Sequence, residues 1–283
     1  MADVVRSALT ASTVRILRHD PGIRIGDDPE DVHQARVGAR RMRSDLQTFA
    51  SVLEPEWVGH VRTELRWLGE ILGGVRDADV LLERLRRQAR SLSEHDAPGV
   101  AALVRLLAQQ REVARQCLLD ALAGDRYVTV LDVLVAGAKS PPTLADGDAP
   151  AVEVLPALAA RPWKKLKRSV QALDDDPPDD DLHAVRIRAK RSRYAAEAVA
   201  PVIGKPARRF ADAVAELQTV LGDHQDAVVA ESWLREAATT SDIPKLVTGE
   251  LIALQRVEAA ACRQAWREAW KRAGKKRLRR WMP

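Results

Sequence analysis

One pattern of histidine and basic residues occurs twice in this 283-residue chain, and it limits the possible folds more than any other pattern in the sequence. In each copy a histidine is followed by basic residues three, seven, eight and ten positions later. The copies lie about 150 residues apart: His33, Arg36, Arg40, Arg41 and Arg43, then His183, Arg186, Lys190, Arg191 and Arg193. A shared order at a shared spacing predicts that one helical unit occurs twice.

Further matches flank the two copies. Upstream, Arg15 and Arg18 match Lys165 and Arg168 at the same distance of 150 residues. Downstream, two Leu-Gly pairs and two Asp-Ala pairs match at 149 residues: Leu72-Gly73 with Leu221-Gly222, and Asp77-Ala78 with Asp226-Ala227. A segment rich in proline, glycine and aspartate separates the halves. We therefore expect two repeats, 1–138 and 152–283, joined by a linker at 139–151 and related by a pseudo-two-fold axis.

Nearly every segment between the proline and glycine clusters is typical of an α-helix. Ala, Leu, Arg and Glu dominate, apolar residues recur every three to four positions, and alternating strand-like runs do not occur. The sequence therefore predicts an all-α fold of two antiparallel helical bundles. We expect Pro21-Gly22 to separate helices, and the third helix of each half to end near 72–74 and 221–223. Asp28, followed by Pro29, is the predicted start of the first histidine helix, and Asp179–Asp181 play the same part before His183.

On a helix, the basic residues of each copy form one stripe. At about 100° per residue, Arg36, Arg40 and Arg43 fall within about 80° of His33, and His183, Arg186, Lys190 and Arg193 repeat the arrangement. Arg41 and Arg191 lie about a quarter turn away. The opposite face of the first copy is apolar and is predicted to face the core: Ala35, Ala39, Met42, Leu46 and Phe49.

A stripe of like charges repels itself, so it needs either a bound polyanion or carboxylates from neighbouring helices. Candidate carboxylates are Asp77, Asp79, Glu197, Asp223 and Asp226. Arginine makes up 35 of the 45 basic residues, and its planar fork of donors matches phosphate or carboxylate oxygens in pairs. The sequence leaves both interpretations open.

The net charge of +5 conceals an uneven distribution. Residues 263–283 carry nine Lys or Arg against Glu268 alone, whereas acidic runs lie at 27–31 and 174–181. The acidic runs next to His33 and His183 could supply metal ligands, but Asp is ordinary at a helix start and no spacing is diagnostic. We expect no metal site.

Other classes of protein are disfavoured. The two cysteines, Cys117 and Cys262, form no CxxC motif, and no apolar run approaches the roughly 18 residues of a membrane span. The start of the chain has no signal-peptide core, so we expect a cytoplasmic protein without a membrane partner. No P-loop, GxSxG or HExxH motif occurs, which predicts no cofactor and no catalysis.

The paired motifs resemble the CHAD family, the conserved-histidine α-helical domain. They read His-x-x-Arg-Val-x-x-Arg-Arg-x-Arg and His-x-x-Arg-Ile-x-x-Lys-Arg-x-Arg. The resemblance implies two helical bundles around a basic cleft or pore that binds inorganic polyphosphate, in some members at polyphosphate granules. By motif position it implies that the ten residues of the two copies bind the ligand, with weaker candidates at Arg15, Arg18, Lys165 and Arg168.

The leading hypothesis is therefore a non-catalytic polyphosphate-binding protein, in which the bound polyanion raises the pKa of His33 and His183. Two alternatives stay open at this point. The basic segment 263–283 could bind nucleic acid through its phosphates, although nucleic acid is the less favoured partner. The Asp and His clusters could instead support a metal-dependent phosphohydrolase.

Overall fold

The computed structural model describes residues 1–26, 28–144, 150–240 and 243–283. In these residues the chain is helical, which confirms the all-α prediction, and its one β-pairing is an isolated bridge between Leu53 and Thr143. The helices are α1 (Ala2–Ile25), α2 (Pro29–Thr48), α3 (Pro55–Ala89), α4 (Ala97–Ala123), α5 (Asp125–Lys139), α6 (Ala151–Gln171), α7 (Asp179–Ile203), α8 (Lys205–Thr240) and α9 (Lys245–Ala273). Short 3-10 segments lie at Glu94–Asp96 and Lys276–Arg279.

The helices pack in two successive series. In the first, α1 packs on α2, α2 on α3 and α3 on α4, while α5 returns to pack on α1. In the second, α6 packs on α7, α7 on α8 and α8 on α9. The two series meet where α2 contacts α7, and these are the helices that carry the two histidine motifs. The fold therefore places both basic stripes in the middle of the molecule.

The start of α2 follows the prediction. Asp28 is the N-cap, its Oδ1 accepts the backbone N–H of Glu30 at 2.8 Å, and Pro29 occupies the first turn. The start of α7 follows it only in part, because the N-cap is Pro178, and Asp179–Asp181 form the acidic first turn. In both helices carboxylates near the positive end of the helix dipole favour the helical start.

The prediction that the third helices end near 72–74 and 221–223 is wrong. α3 and α8 continue through these positions to Ala89 and Thr240. Gly73 and Gly222 instead leave room for an arginine side chain of the preceding helix. A Cβ on Gly73 would lie 2.7 Å from Nη1 of Arg36, and one on Gly222 would lie 3.7 Å from Nε of Arg186.

The prediction that Pro21-Gly22 separates two helices is also wrong, because α1 runs through both residues to Ile25. The helix ends at Gly26, whose φ of 85° lies in the left-handed region that favours glycine. The backbone N–H of Gly26 donates to the carbonyl of Gly22 at 2.8 Å.

The apolar core joins the two series on both sides of the α2–α7 contact. One buried cluster combines residues of the first series, such as Leu46 and Phe49, with Leu155 of α6. Another combines Leu82 of α3 with Leu234 of α8. The predicted core face of α2 is confirmed, since Ala35, Ala39, Met42, Leu46 and Phe49 are all at most 1% exposed.

The proposed division of the chain falls between α5 and α6. α5 ends at Lys139 and α6 begins at Ala151, while residues 145–149 of the predicted linker lie outside the described residues. The division into 1–138 and 152–283 and the pseudo-two-fold axis stay predictions. In the part of the chain that the structure describes, no helix combines the length and apolar character needed to cross a bilayer.

A close crossing of α1 and α2 provides a stability test. A Cβ on Gly38 would lie 2.9 Å from Cγ1 of Ile16 and 3.2 Å from the carbonyl oxygen of Ser12, whereas nothing lies within 4 Å of one on Gly59 of α3. We expect Gly38→Ala to lower the free energy of unfolding by about 1–2 kcal/mol, because overpacking exceeds the gain in helix propensity. Gly59→Ala should raise it by up to about 1 kcal/mol. Urea unfolding of both variants measures this, and a stabilised Gly38→Ala variant would contradict the close crossing.

Candidate anion-binding site

A cavity of about 390 Å³ lies between α2, α3, α7 and α8, and we call it the central cavity. Both histidine motifs line it through their first three members. The basic and imidazole side chains around it are His33, Arg36 and Arg40 of α2, Arg76 and Arg84 of α3, and His183, Arg186 and Lys190 of α7. The structure thus brings together six of the ten motif residues.

Two carboxylates in the central cavity each pair with a motif arginine. Nη1 of Arg36 lies 3.2 Å from Oδ1 of Asp77, and Nη2 of Arg186 lies 3.8 Å from Oδ1 of Asp226. The expectation that neighbouring carboxylates balance the stripe is therefore met in part. Asp77 and Asp226 are the two acids that line this cavity, so basic side chains outnumber them.

Two donors of these arginines are buried without an acceptor. Nε of Arg40 and Nε of Arg186 have no hydrogen-bond partner within the described residues, whereas Nη1 of Arg36 is held by the ion pair with Asp77. A buried donor that is left unpaired costs about 1–3 kcal/mol, and more when it is charged. An anion with several acceptor oxygens would satisfy these groups.

Lys190 has the most perturbed charge in the central cavity. Burial, followed by repulsion from Arg186 and Arg40, holds the pKa of Lys190 down to about 7, although Asp226 opposes the shift. No carboxylate of the described residues lies within ion-pair distance of its ammonium group. Its positive charge is therefore the one that an incoming anion would stabilise most.

The two histidines differ in their contacts. Nδ1 of His183 lies 2.7 Å from Oε1 of Gln225, and since that oxygen accepts, Nδ1 carries the proton. Burial, followed by repulsion from Arg76, lowers the pKa of His33. An anion near His33 would act in the opposite direction and raise that pKa.

A second cavity, of about 740 Å³, adjoins the central one, and we call it the first side cavity. It shares His33 and Arg40 with the central cavity, so the two meet along α2. Glu197 partly neutralises this cavity, because it accepts a hydrogen bond from Arg41 and another, at 2.6 Å, from Nε of Arg193. Arg15, a weaker candidate, also lines it.

Arg41, which lines the first side cavity, also contacts an aromatic ring and a buried carboxyl group. Its guanidinium lies 5.5 Å from the ring centroid of Tyr194, within the range of a cation–π contact. Asp45, 1% exposed, lies 3.5 Å from Nε of Arg41, and burial raises the pKa of this aspartate to about 7 despite the arginine. Arg41 therefore already has protein partners on several sides.

A third cavity, of about 220 Å³, lies between α6, α7 and the end of α2, and we call it the second side cavity. The predicted residues Lys165 and Arg191 line it, together with Arg161 and Arg188, which the sequence did not single out as ligand-binding. None of the three cavities is lined by Arg18, Arg43 or Arg168 among the described residues.

Arg43 of α2 belongs to a separate basic cluster with Arg62 and Arg66 of α3. Burial, followed by repulsion from Arg66 and Arg62, lowers the pKa of Arg43, and Arg191 adds to the effect. This stretch therefore extends the positive charge from α2 toward the second side cavity.

Two residues of the central cavity, Arg76 and Arg84, were missed by the sequence reasoning. With Val80 they form an i, i+4, i+8 row along α3, and all three line the cavity. That row is a usable signal, but only the packing reveals which face of α3 lines the cavity. Arg84 is 5% exposed, and it is held by Gln255 at 2.6 Å and by Glu258 at 2.7 Å.

Part of the basic C-terminal segment is paired within the protein. Arg263 pairs with Asp176 at 3.3 Å and with Asp179 at 2.9 Å, and Arg267 donates to the carbonyls of Asp174 and Asp175. The second acidic run thus neutralises the first part of this segment.

The acidic runs do not assemble into a recognisable metal site in the part of the chain that the structure describes. Those residues contain no group of three or more His, Cys, Asp or Glu side chains placed to hold a metal ion. Asp27, which belongs to the first run, lies outside them. Asp179 is instead 3.2 Å from Nε2 of the buried His224.

Comparison with known proteins gives consistent matches. The family model described as CHAD domain matches residues 7–235. Two Mycobacterium tuberculosis proteins, the uncharacterized proteins Rv2226 (strain ATCC 25618 / H37Rv) and MT2285 (strain CDC 1551 / Oshkosh), are each 32% identical over 274 residues. The match covers 93% of this chain and 52% of theirs, so the chain spans about half the length of these relatives.

Solved structures match over nearly the whole chain. PptA from Streptomyces chartreusis has a TM-score of 0.79 and 26% identity, covering 96% of this chain and 99% of that one. The CHAD domain from the plant Ricinus communis has a TM-score of 0.76 and 30% identity, covering 96% and 91%.

The environment of Lys190 predicts a pH-dependent stability. The folded pKa of about 7 lies below the usual 10.5, so the burial penalty is fully present below pH 7 and disappears as the pH rises toward 10.5. We expect Lys190→Met to raise the free energy of unfolding by about 1–4 kcal/mol at pH 6. The gain should shrink between pH 7 and pH 10, as measured by urea unfolding. Lys245→Met, at an exposed position, is the control, and a gain for Lys190→Met that is constant with pH would refute the shifted pKa.

Proposed function

The chain belongs to the CHAD domain family, and from this premise we propose that it binds inorganic polyphosphate, without cleaving it, in the central cavity. The single observation that carries the proposal is the convergence of both histidine motifs on one cavity. There, Nε of Arg40 and Nε of Arg186 are buried without acceptors among the described residues.

The chemistry of the central cavity fits an unbranched phosphate chain. Polyphosphate presents oxygen acceptors and negative charge along its length, and it has no bases or sugars. Arginine recognises such oxygens in pairs through its planar fork, and lysine contributes a point charge. Proteins that bind single-stranded nucleic acid add aromatic side chains for stacking, and no aromatic residue lines the described central cavity.

The adjoining first side cavity offers a path for a longer chain. It meets the central cavity at His33 and Arg40, so a chain leaving one would enter the other without losing contact with α2. Arg41 and Arg193 would then exchange Glu197 for phosphate oxygens. Binding in this part should be weaker than in the central cavity, because an internal ion pair must be given up.

Binding without hydrolysis is part of the proposal. The acids that line the described central cavity, Asp77 and Asp226, are each paired with an arginine, which engages the carboxylate that a general base would need free. A cytoplasmic role at polyphosphate granules, with no cofactor and no membrane partner, is the biological setting that we propose. Phosphate release from polyphosphate in the presence of Mg²⁺ or Mn²⁺ would contradict this part.

Removing two basic groups from either half of the central cavity tests the site. We expect Arg36→Ala with Arg40→Ala, and separately Arg186→Ala with Lys190→Ala, to weaken polyphosphate binding by about tenfold or more, since charge-assisted hydrogen bonds are lost. Isothermal titration calorimetry measures the affinity, and far-UV circular dichroism checks the helicity. The matched control is Arg235→Ala with Arg256→Ala, which removes two exposed arginines that both pair with Glu231.

The test compares the loss of polyphosphate affinity in the two cavity variants with the loss in the control variant. Unchanged affinity in both cavity variants, or an equal loss in the control, would refute the site. The affinity should fall steeply with salt through counterion release. If duplex DNA or RNA displaces polyphosphate at equal phosphate concentration, the ligand is a phosphate backbone in general rather than polyphosphate.

The internal carboxylates of the central cavity should limit its affinity. Asp77 and Asp226 hold Arg36 and Arg186, so Asp77→Asn with Asp226→Asn leaves both guanidinium groups to the ligand. We expect polyphosphate to bind about threefold tighter or better, on the scale of one ion pair near the surface. The same titration measures it, and weaker binding would indicate that the aspartates position the arginines instead of competing for them.

A further inference from the structure

The two side cavities occupy corresponding positions in the two halves. Nearly every residue that lines the second side cavity lies 150 positions from a residue that lines the first. Lys165 corresponds to Arg15 in this way, and Arg191 corresponds to Arg41. The backbone arrangement is therefore similar on both sides, and the side chains can be compared position by position.

The comparison shows that the described second side cavity lacks the carboxylates that line the first. Glu197, which neutralises Arg41 in the first side cavity, corresponds to Gln47 in the second. Asp45 corresponds to Ala195, a residue without charge. No acidic residue lines the described second side cavity. The internal acceptor of one half is thus replaced by a neutral amide in the other.

The second side cavity has four Lys or Arg side chains, as many as the first, around a smaller volume. Arg161 stands where the first side cavity has Ala11, and Arg188 is added from α7. Arg161, Lys165, Arg188 and Arg191 form no ion pair with a carboxylate of the described residues, and the one hydrogen bond of Arg188 goes to the hydroxyl of Ser169. Four cations around one small cavity repel each other unless an anion joins them.

We propose that the second side cavity is a separate binding site for a short phosphate anion of the size of pyrophosphate. The volume of about 220 Å³ is below the roughly 300–1,000 Å³ of sites for drug-sized ligands, which favours a compact anion. Guanidinium and ammonium groups supply the charge, while the amide of Gln47 and the hydroxyl of Ser44 add neutral donors. The anion is either free pyrophosphate or the end of a longer phosphate chain.

The site does not depend on polyphosphate binding in the central cavity. Its lining residues are distinct from those of the central cavity. Pyrophosphate binding should therefore persist in the variant Arg36→Ala with Arg40→Ala.

A single isosteric substitution tests the assignment. Gln47→Glu restores the carboxylate that the first side cavity has at Glu197, and it should pair with Arg191 and weaken pyrophosphate binding by about tenfold. Gln47 is exposed, so the fold should tolerate the change. Isothermal titration calorimetry of the full chain with pyrophosphate measures it, and Gln109→Glu, an exposed position on α4, is the control for net charge.

Further variants make the outcome decisive. Arg161→Ala with Lys165→Ala should also weaken pyrophosphate binding about tenfold. The reciprocal change Glu197→Gln should add a second pyrophosphate to the stoichiometry, because it frees Arg41 and Arg193. Affinity within twofold of the wild type in both Gln47→Glu and Arg161→Ala with Lys165→Ala would overturn the proposal. A loss confined to the central-cavity variant would also overturn it.

The source of the anion follows from a titration with long-chain polyphosphate. If Gln47→Glu weakens that binding too, the site also takes the end of a longer chain. If long-chain binding is unchanged while pyrophosphate binding falls, the site serves the free anion. Either result supports the site, and failure of long-chain binding alone would count against the central cavity only.

Discussion

Repulsion among the basic side chains between α2 and α7 is the interaction around which the rest of the structure is arranged. Arg36 and Arg40 of one helix face Arg186 and Lys190 of the other, with two carboxylates to balance them. Apolar clusters on both sides of this contact hold the helices together, one through α6 and the other through α8. Hydrophobic burial is non-directional and scales with area, so it can offset a local electrostatic cost that no nearby ion pair removes.

The internal carboxylates divide the positive surface into parts with different capacities for external anions. Asp77 and Asp226 reduce the excess charge in the central cavity, and Glu197 is shared between two arginines of the first side cavity, which it partly neutralises. The described lining of the second side cavity has no such group. Where a carboxylate of the protein already pairs with an arginine, an external anion would have to displace that carboxylate. Where no carboxylate is present, the anion would pair with the basic side chains without such a cost. If the proposed sites bind anions, the positions of these few carboxylates would therefore distinguish them, since the two side cavities have equal numbers of Lys and Arg side chains.

Features that depend on helical periodicity could be predicted from the sequence. Features that depend on contacts between distant segments, such as where a long helix ends, could not. The core face of α2 and the Asp28 cap follow from spacing within one helix, and the structure confirms both. The first three members of each predicted stripe line the central cavity, whereas Arg43 and Arg193 do not. Gly73 was misjudged as a helix end because its role is to admit Arg36, which lies on another helix. Glu197 was among the candidate carboxylates, but its specific partner Arg41, 156 positions away, follows only from the packing of α2 against α7.

The second motif has Lys190 where the first has Arg40. This lysine gives the central cavity a basic group that can lose its proton near neutral pH, which an arginine cannot do. Arg40 keeps its charge at any pH a protein encounters, whereas an ammonium group loses its proton readily when it is buried among like charges. Lys190, with a pKa of about 7, is such a group. An anion bound in the central cavity, as proposed, would stabilise the proton of Lys190, which the surrounding arginines oppose. Lys190 would then couple the proposed binding to proton uptake, while Arg40 would provide a fixed charge.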